Sequence, residues 1–407
     1  MTDLETLSIP SHVAPDRVRD VDVFHLPDSD RDVHRAWLKL AEGSDLVWSP
    51  RNGGHWIATG GSLLLSLFKG DDRFSNREIA VPAGSMLVPL LPIQADGEAH
   101  KAYRALIEPA FKPAAIEKYA RRARELTVEI IERLLPTGQC EFTGDYATVL
   151  PLVIFLQIVD LPEADREKLH AHTRVMTHEP DLAKRHAAFR GIAAYLEEKI
   201  AERRTEPGDD LLSKVIHGEI MGRSLNETEV QGTTSLLLFG GLDTVASMMS
   251  FVMKFLAENP GHRQWIIDNP GRIAFAVEEI MRRYGVSQLM RTALVDTEVD
   301  GTPVRAGDLI MLPSSLYALD SREFDNPLDV DFDRPAKAAT TFGVGAHRCP
   351  GASLARLEMK IMVEEWLRRI PDFEIDPTRT LIQSSGLVNG ILELPLRWSS
   401  ESLQQGR

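Results

Sequence analysis

The segment Thr341-Phe342-Gly343-Val344-Gly345-Ala346-His347-Arg348-Cys349-Pro350-Gly351 constrains the chain more than any other, because a helical pattern opens directly after it, at about Leu354. Glycines permit backbone conformations and close approaches that a Cβ forbids. A cysteine wrapped by such a loop, ahead of a helix, meets backbone N–H donors and the positive end of the helix dipole, both of which favour a thiolate. Cys349 is therefore the candidate sulfur ligand, with Gly343, Gly345 and Gly351 allowing the chain to fold round it. A single cysteine is more often a small buried hydrophobe.

A second feature lies in Gln231–Met253, where one charge, Asp243, interrupts an apolar run long enough to span a bilayer. Asp243 falls in its middle beside Gly240 and Gly241, which suits the buried central helix of a protein without a membrane segment. Glycines in a helix interior cost about 1 kcal/mol each, so packing alone does not explain the pair. The Thr244 hydroxyl reaches back to the carbonyl of Gly240, four residues earlier, and so holds a donor beside the opening. Asp243 is then a candidate proton relay. The plainer alternative is a helix kink with a capped Asp.

Two charged constellations follow. Glu279 and Arg282 share a helix face three residues apart, and His100 and Arg104 share one four apart. Arg291 follows the first of these helices. Each is individually compatible with a solvated surface pair or cation.

Composition narrows the class. Acidic residues outnumber basic ones 60 to 46 in 407 residues, a net charge of −14 that argues against nucleic-acid partners. Cys140 and Cys349 are the only cysteines, which suits a reducing compartment, and the acidic start MTDLETLSIP shows no secretory signal, so a cytoplasmic location is expected. No repeat or linker divides the chain. Helical periodicity is expected over Ile116–Leu135, Phe189–Arg204, Glu227–Leu256, Ile273–Tyr284 and Leu354–Arg369, with short strands after Thr292 and near Trp398. Val81–Gln94 is too rich in proline for a helix and nearly all apolar, the character of a loop that covers something. The expectation is one mainly helical domain over 1–407 with small sheets and a flexible arm over 1–20.

Together the motifs resemble the cytochrome P450 family. The glycine-rich loop matches its Phe-Gly-x-Gly-x-His/Arg-x-Cys-x-Gly pattern, and Glu279 with Arg282 matches its Glu-x-x-Arg element. Gly240-Gly241-Leu242-Asp243-Thr244, Trp48–Thr59 and Glu364–Phe373 resemble its camphor-hydroxylating branch. The resemblance implies the cytochrome P450 fold, a single haem-enclosing domain, and haem b with Cys349 as axial ligand. Gly241, Phe342, Gly343 and Gly351 would border that cofactor, and His100, Arg104, Arg291 and His347 would meet its propionates. Asp243 and Thr244 would be catalytic.

The implied activity is a monooxygenase that places one atom of O2 into a C–H bond. No G-x-G-x-x-G fingerprint appears. Electrons would therefore come from a separate [2Fe–2S] ferredoxin with its NADH-dependent reductase, docking where Lys101, Arg104, Lys112, Arg348 and Arg356 lie. A haem-thiolate sensor and a peroxide-dependent enzyme are the alternatives, and the Asp243-Thr244 pair counts against both. The implied pocket is Val88, Leu236, Phe239, Gly240, Ser287, Leu289, Leu387 and Val388. Val88 stands where camphor hydroxylase has a tyrosine donor, Phe239 is bulkier than the branch's aliphatic residue, and Leu289 replaces an acid. An ionone is thus expected in preference to camphor.

Overall fold

In the computed structural model, residues 9–70 and 72–399 are described, and helices dominate them. The axis of the molecule is the helix Glu227–Glu258. It starts on a capping box, in which Asn226 accepts from the Glu229 backbone N–H while the Glu229 carboxylate accepts from that of Asn226. This arrangement satisfies two orphan donors at the N-terminus. The helix is long and apolar enough to cross a membrane, yet 65% of its most apolar window is buried inside the protein, the profile of a core helix.

Around it pack Val149–Ile158, Arg166–His178 and Leu182–Thr205, and the helix Ala352–Arg369 lies against Pro113–Leu134. The latter pair is fastened where Arg124 bonds Glu364 at 2.7 Å and also meets the buried Glu365. Helices expected over Ile116–Leu135, Phe189–Arg204 and Ile273–Tyr284 occur as Pro113–Leu134, Leu182–Thr205 and Ile273–Arg283. One five-stranded sheet joins Leu46–Ser49, His55–Ala58, Leu309–Pro313, Gln288–Ala293 and Phe74–Ser75, in that spatial order. The other sheets have two or three strands.

The segment 81–94 forms neither helix nor strand. It lies directly on the central helix, where a Cβ at Gly232 would stand 2.0 Å from the Pro89 carbonyl oxygen. Glycine at 232 is what lets the loop sit there. Of the arm expected over 1–20, residues 1–8 lie outside the described residues. From His12 onward the chain is held: Val13 is buried, His12 contacts Asp308 at 2.8 Å, and the Arg19 N–H bonds the Trp48 carbonyl. Burial of Val13 removes it from water and fixes this part of the expected arm.

Candidate active site

The cysteine loop is built by its own backbone. Gly343 and Gly345 take φ of +66° and +78°, a region that disfavours side chains. Gly343 N–H bonds the Thr340 carbonyl at 2.8 Å, and Cys349 N–H bonds the Phe342 carbonyl at 2.9 Å, which closes the loop. Gly351 is different, since its φ of −77° suits any residue. A Cβ there would stand 3.8 Å from Cys349 Sγ, so its contribution is open space beside the sulfur. Gly351 caps the helix Ala352–Arg369, which aims its N-terminus at the loop.

The Cys349 side chain keeps open surface although it is set deep among protein atoms, so it faces an internal hollow. Burial pushes its thiol up, opposed by the Gly351 N–H and by Arg104, Arg348 and Arg356. Cys140 lies buried in the strand Gln139–Glu141, with its thiol pushed up by burial and by neighbouring acids.

Behind the loop, Glu279 and Arg282 form a buried two-pronged pair at 2.8 and 2.9 Å. Arg282 also donates to the carbonyls of Ala318, Pro327 and Asp329, and Arg334 joins Glu279 at 2.9 Å. Thr341 Oγ1 donates to the Met281 carbonyl and ties the same helix to the cysteine loop. The pair is thus a strut behind the loop.

On one side of the hollow the cationic residues gather. His100, on the helix Gly97–Ile107, stacks on His347 with ring centroids 3.9 Å apart, and Arg104 on that helix donates to the Ala346 carbonyl at 3.4 Å. Arg291 is buried on the strand Gln288–Ala293, its guanidinium over the Phe68 ring. His347 is depressed to about 3 by burial and by the charges of His100, Arg291 and Arg104, against which only Asp96 pulls upward. With His347 held neutral by these neighbours, the charges of Arg104 and Arg291 are what favour a bound anion here.

The central helix carries the remaining expected groups. Thr244 Oγ1 donates to the Gly240 carbonyl at 3.2 Å, the bond expected from the sequence. A Cβ at Gly240 would meet nothing within 4 Å, so the helix faces open space there. Gly241 does not. Its Cβ would stand 2.8 Å from the Phe155 ring, so the missing side chain at Gly241 is what lets the helix Val149–Ile158 approach.

Asp243 is buried, and its carboxylate lies 3.0 Å from His178 Nε2. Burial works to raise its carboxyl, but the His178 charge and bond, Thr177 and His170 hold it below the usual carboxylate range. His178 Nδ1 meets Ser384 Oγ at 3.1 Å. Sequence reasoning missed His178, which ends a different helix and has no spacing to Asp243 that marks it.

The expected pocket residues fall in two groups. Val88 and Leu236 join an apolar cluster with Met176 and Phe189, and Phe239 stacks on Phe189 at 5.6 Å. Ser287 pairs with Val388 in a bridge, the Gln288 N–H bonds the Leu387 carbonyl, and Leu289 shares a strand with Arg291.

Comparison with known proteins decides the family. The cytochrome P450 family model matches residues 165–269 and 274–393. The chain belongs to the cytochrome P450 family. It is 33% identical to "Probable cytochrome P450 127A1" of Sinorhizobium fredii, over 97% of this chain and 98% of that protein. The crystal structure of cytochrome P450 CYP101C1 superposes with a TM-score of 0.88 at 38% identity, covering 96% of this chain and all of that one. That of CYP101J2 gives 0.88 at 34% over the same shares.

This cytochrome P450 is a monooxygenase that uses a haem-thiolate. The residues fit the group: an open-faced sulfur, a cluster of cations for two carboxylates, and a helix bare at Gly240. Cys349 would hold the iron, and His100, Arg104, Arg291 and His347 the propionates. When bound, haem supplies dioxygen activation, with thiolate electron donation favouring O–O cleavage.

Proposed function

We propose that this cytochrome P450 hydroxylates a small apolar terpenoid-like molecule, an ionone in preference to camphor. It does so in the cytoplasm, with electrons from a [2Fe–2S] ferredoxin and its NADH-dependent reductase. The observation that carries the substrate class is the Phe189–Phe239 stack, whose rings lie 28° apart and which sets an aromatic ring directly before Gly240. Val88 on the loop 81–94 adds no hydrogen-bond donor to it. A conjugated, flattened ligand gains contact along that ring. A compact bicyclic ketone leaves gaps, and each unfilled contact is lost dispersion energy.

Asp243 and Thr244 manage protons in this reading. His178 keeps Asp243 ionised inside the protein, and the carboxylate accepts a proton when that contact opens. The Thr244 bond to Gly240 is at the weak end for an O–H···O bond, so the hydroxyl is readily redirected toward the hollow. On the cysteine side, the expected basic face is partly self-neutralised. Lys101 pairs with Glu98 and Arg104 with Glu108, while Arg356 pairs with Glu278. Lys112 and Arg348 remain exposed with no ion pair among the described residues, and they would steer an acidic ferredoxin.

Optical titration of the ferric holoenzyme tests the substrate. β-Ionone should shift the haem spin state more completely and at lower concentration than camphor. An equal or better response to camphor would overturn the pocket reading.

A further inference from the structure

Arg185 lies on the helix Leu182–Thr205 and is 2% exposed, one of the largest fully buried side chains. Its surroundings do not answer its charge. Nη2 donates to the Val81 carbonyl at 3.1 Å and the guanidinium sits 4.9 Å over the Phe24 ring, but Nε and Nη1 are buried without a partner. Asp181 and Glu179 are the nearest acids that act on it, and neither forms an ion pair with it. A buried guanidinium that lacks a carboxylate is strongly disfavoured, and one carbonyl and one ring offset only part of that penalty.

Its position gives the reason. Phe189, one turn further along the helix, is the residue that stacks on Phe239. Val81 begins the loop that bears Val88, Leu90 and Met86, all part of the same apolar cluster. Phe24 packs at Gly386, where a Cβ would lie 3.6 Å from its ring, next to Leu387 and Val388. Arg185 thus touches the start of the loop 81–94 and the Phe24 ring that packs at Gly386, on the helix that carries Phe189.

We propose that Arg185 is a specificity residue that binds an acceptor oxygen, ketone or carboxylate, at the end of an otherwise apolar substrate. It rests on the pocket reading above and deepens it. It supplies, from the helix side, the donor that Val88 cannot. A ligand oxygen would take an unpartnered N–H of Nη1 or that of Nε, while the hydrocarbon body lies along Phe239.

The test uses three ligands with the ferric holoenzyme: β-ionone, the carboxylic acid of the same ring and side chain, and the hydrocarbon without the oxygen. Dissociation constants are read from the haem spin shift. Wild-type protein should bind both oxygenated ligands more tightly than the hydrocarbon. Arg185→Met should weaken both by about tenfold or more and leave the hydrocarbon within about twofold. Arg185→Lys should recover part of the affinity for the acid. The acid binding better than the ketone identifies a carboxylate substrate, and the reverse a ketone.

Equal losses for all three ligands would make Arg185 a mere strut and overturn the proposal. A wild-type protein that binds the hydrocarbon as well as the ketone and acid would overturn it without any variant. If none of the three shifts the spectrum, the pocket reading falls first and this proposal with it.

Discussion

The Asp243 carboxylate lies 3.0 Å from the His178 imidazole, inside the protein and one residue before Thr244. Two helices therefore meet in one acid–base contact, and Gly390 makes room for it: a Cβ there would stand 2.7 Å from His178 Cε1. The carboxylate owes its ionised form mainly to this neighbour, since burial alone works against it. Replacing His178 by Asn should let burial dominate and raise the Asp243 pKa. The acidic limb of the pH profile for product formation should then move upward. An unmoved limb would mean that Asp243 does not titrate in the rate-determining proton step.

Thr244→Ala removes the hydroxyl that donates to Gly240 at 3.2 Å and leaves the helix otherwise intact. Reducing equivalents should still be consumed, but product per NADH should fall by roughly an order of magnitude, with peroxide released in its place. Thr244→Ser, which keeps the hydroxyl, should retain most of the yield. Unchanged yield in the alanine variant would remove Thr244 from proton handling.

Glu358 lies within the helix that follows the cysteine loop, fully buried, with Oε1 lacking a partner. Burial raises its carboxyl from 4.5 to about 8. Between those values the folded state holds a proton that the unfolded chain has lost. Stability contributed by this group is therefore intact at low pH and declines as pH rises from about 4.5 to about 8, by up to roughly 5 kcal/mol. Glu358→Gln should flatten that decline, so the variant gains on wild type in thermal melts from pH 5 to pH 9. Parallel curves would show that the carboxyl is not held neutral.

The cysteine loop, the Glu279–Arg282 strut, the Thr244–Gly240 bond and the His100–Arg104 face were legible because each is a local pattern with one physical solution. The loop needs positive φ at Gly343 and Gly345, and helical spacing alone puts the other pairs together. His178, Phe189 and Arg185 were illegible for the opposite reason. They reach the site through tertiary packing between helices far apart in the chain, and nothing local to them announces a partner. Gly240 and Gly241 read alike in the sequence, because a glycine opens space on whichever side its missing Cβ would have pointed, and sequence does not say which side that is.

That ambiguity yields a paired prediction on adjacent residues. Alanine at either position recovers about 1 kcal/mol of helix propensity. At Gly241 the new methyl meets Phe155 at 2.8 Å, and overpacking of this kind costs about 1–3 kcal/mol, so Gly241→Ala should be neutral to destabilising in thermal melts. At Gly240 the methyl meets no protein atom within 4 Å, so Gly240→Ala should raise the melting temperature of the protein prepared without substrate. The same methyl enters the space beside Phe239 and Thr244 and should weaken β-ionone binding, while Gly241→Ala leaves that affinity nearly unchanged. The reverse pattern would place the ligand hollow on the Phe155 side of the central helix.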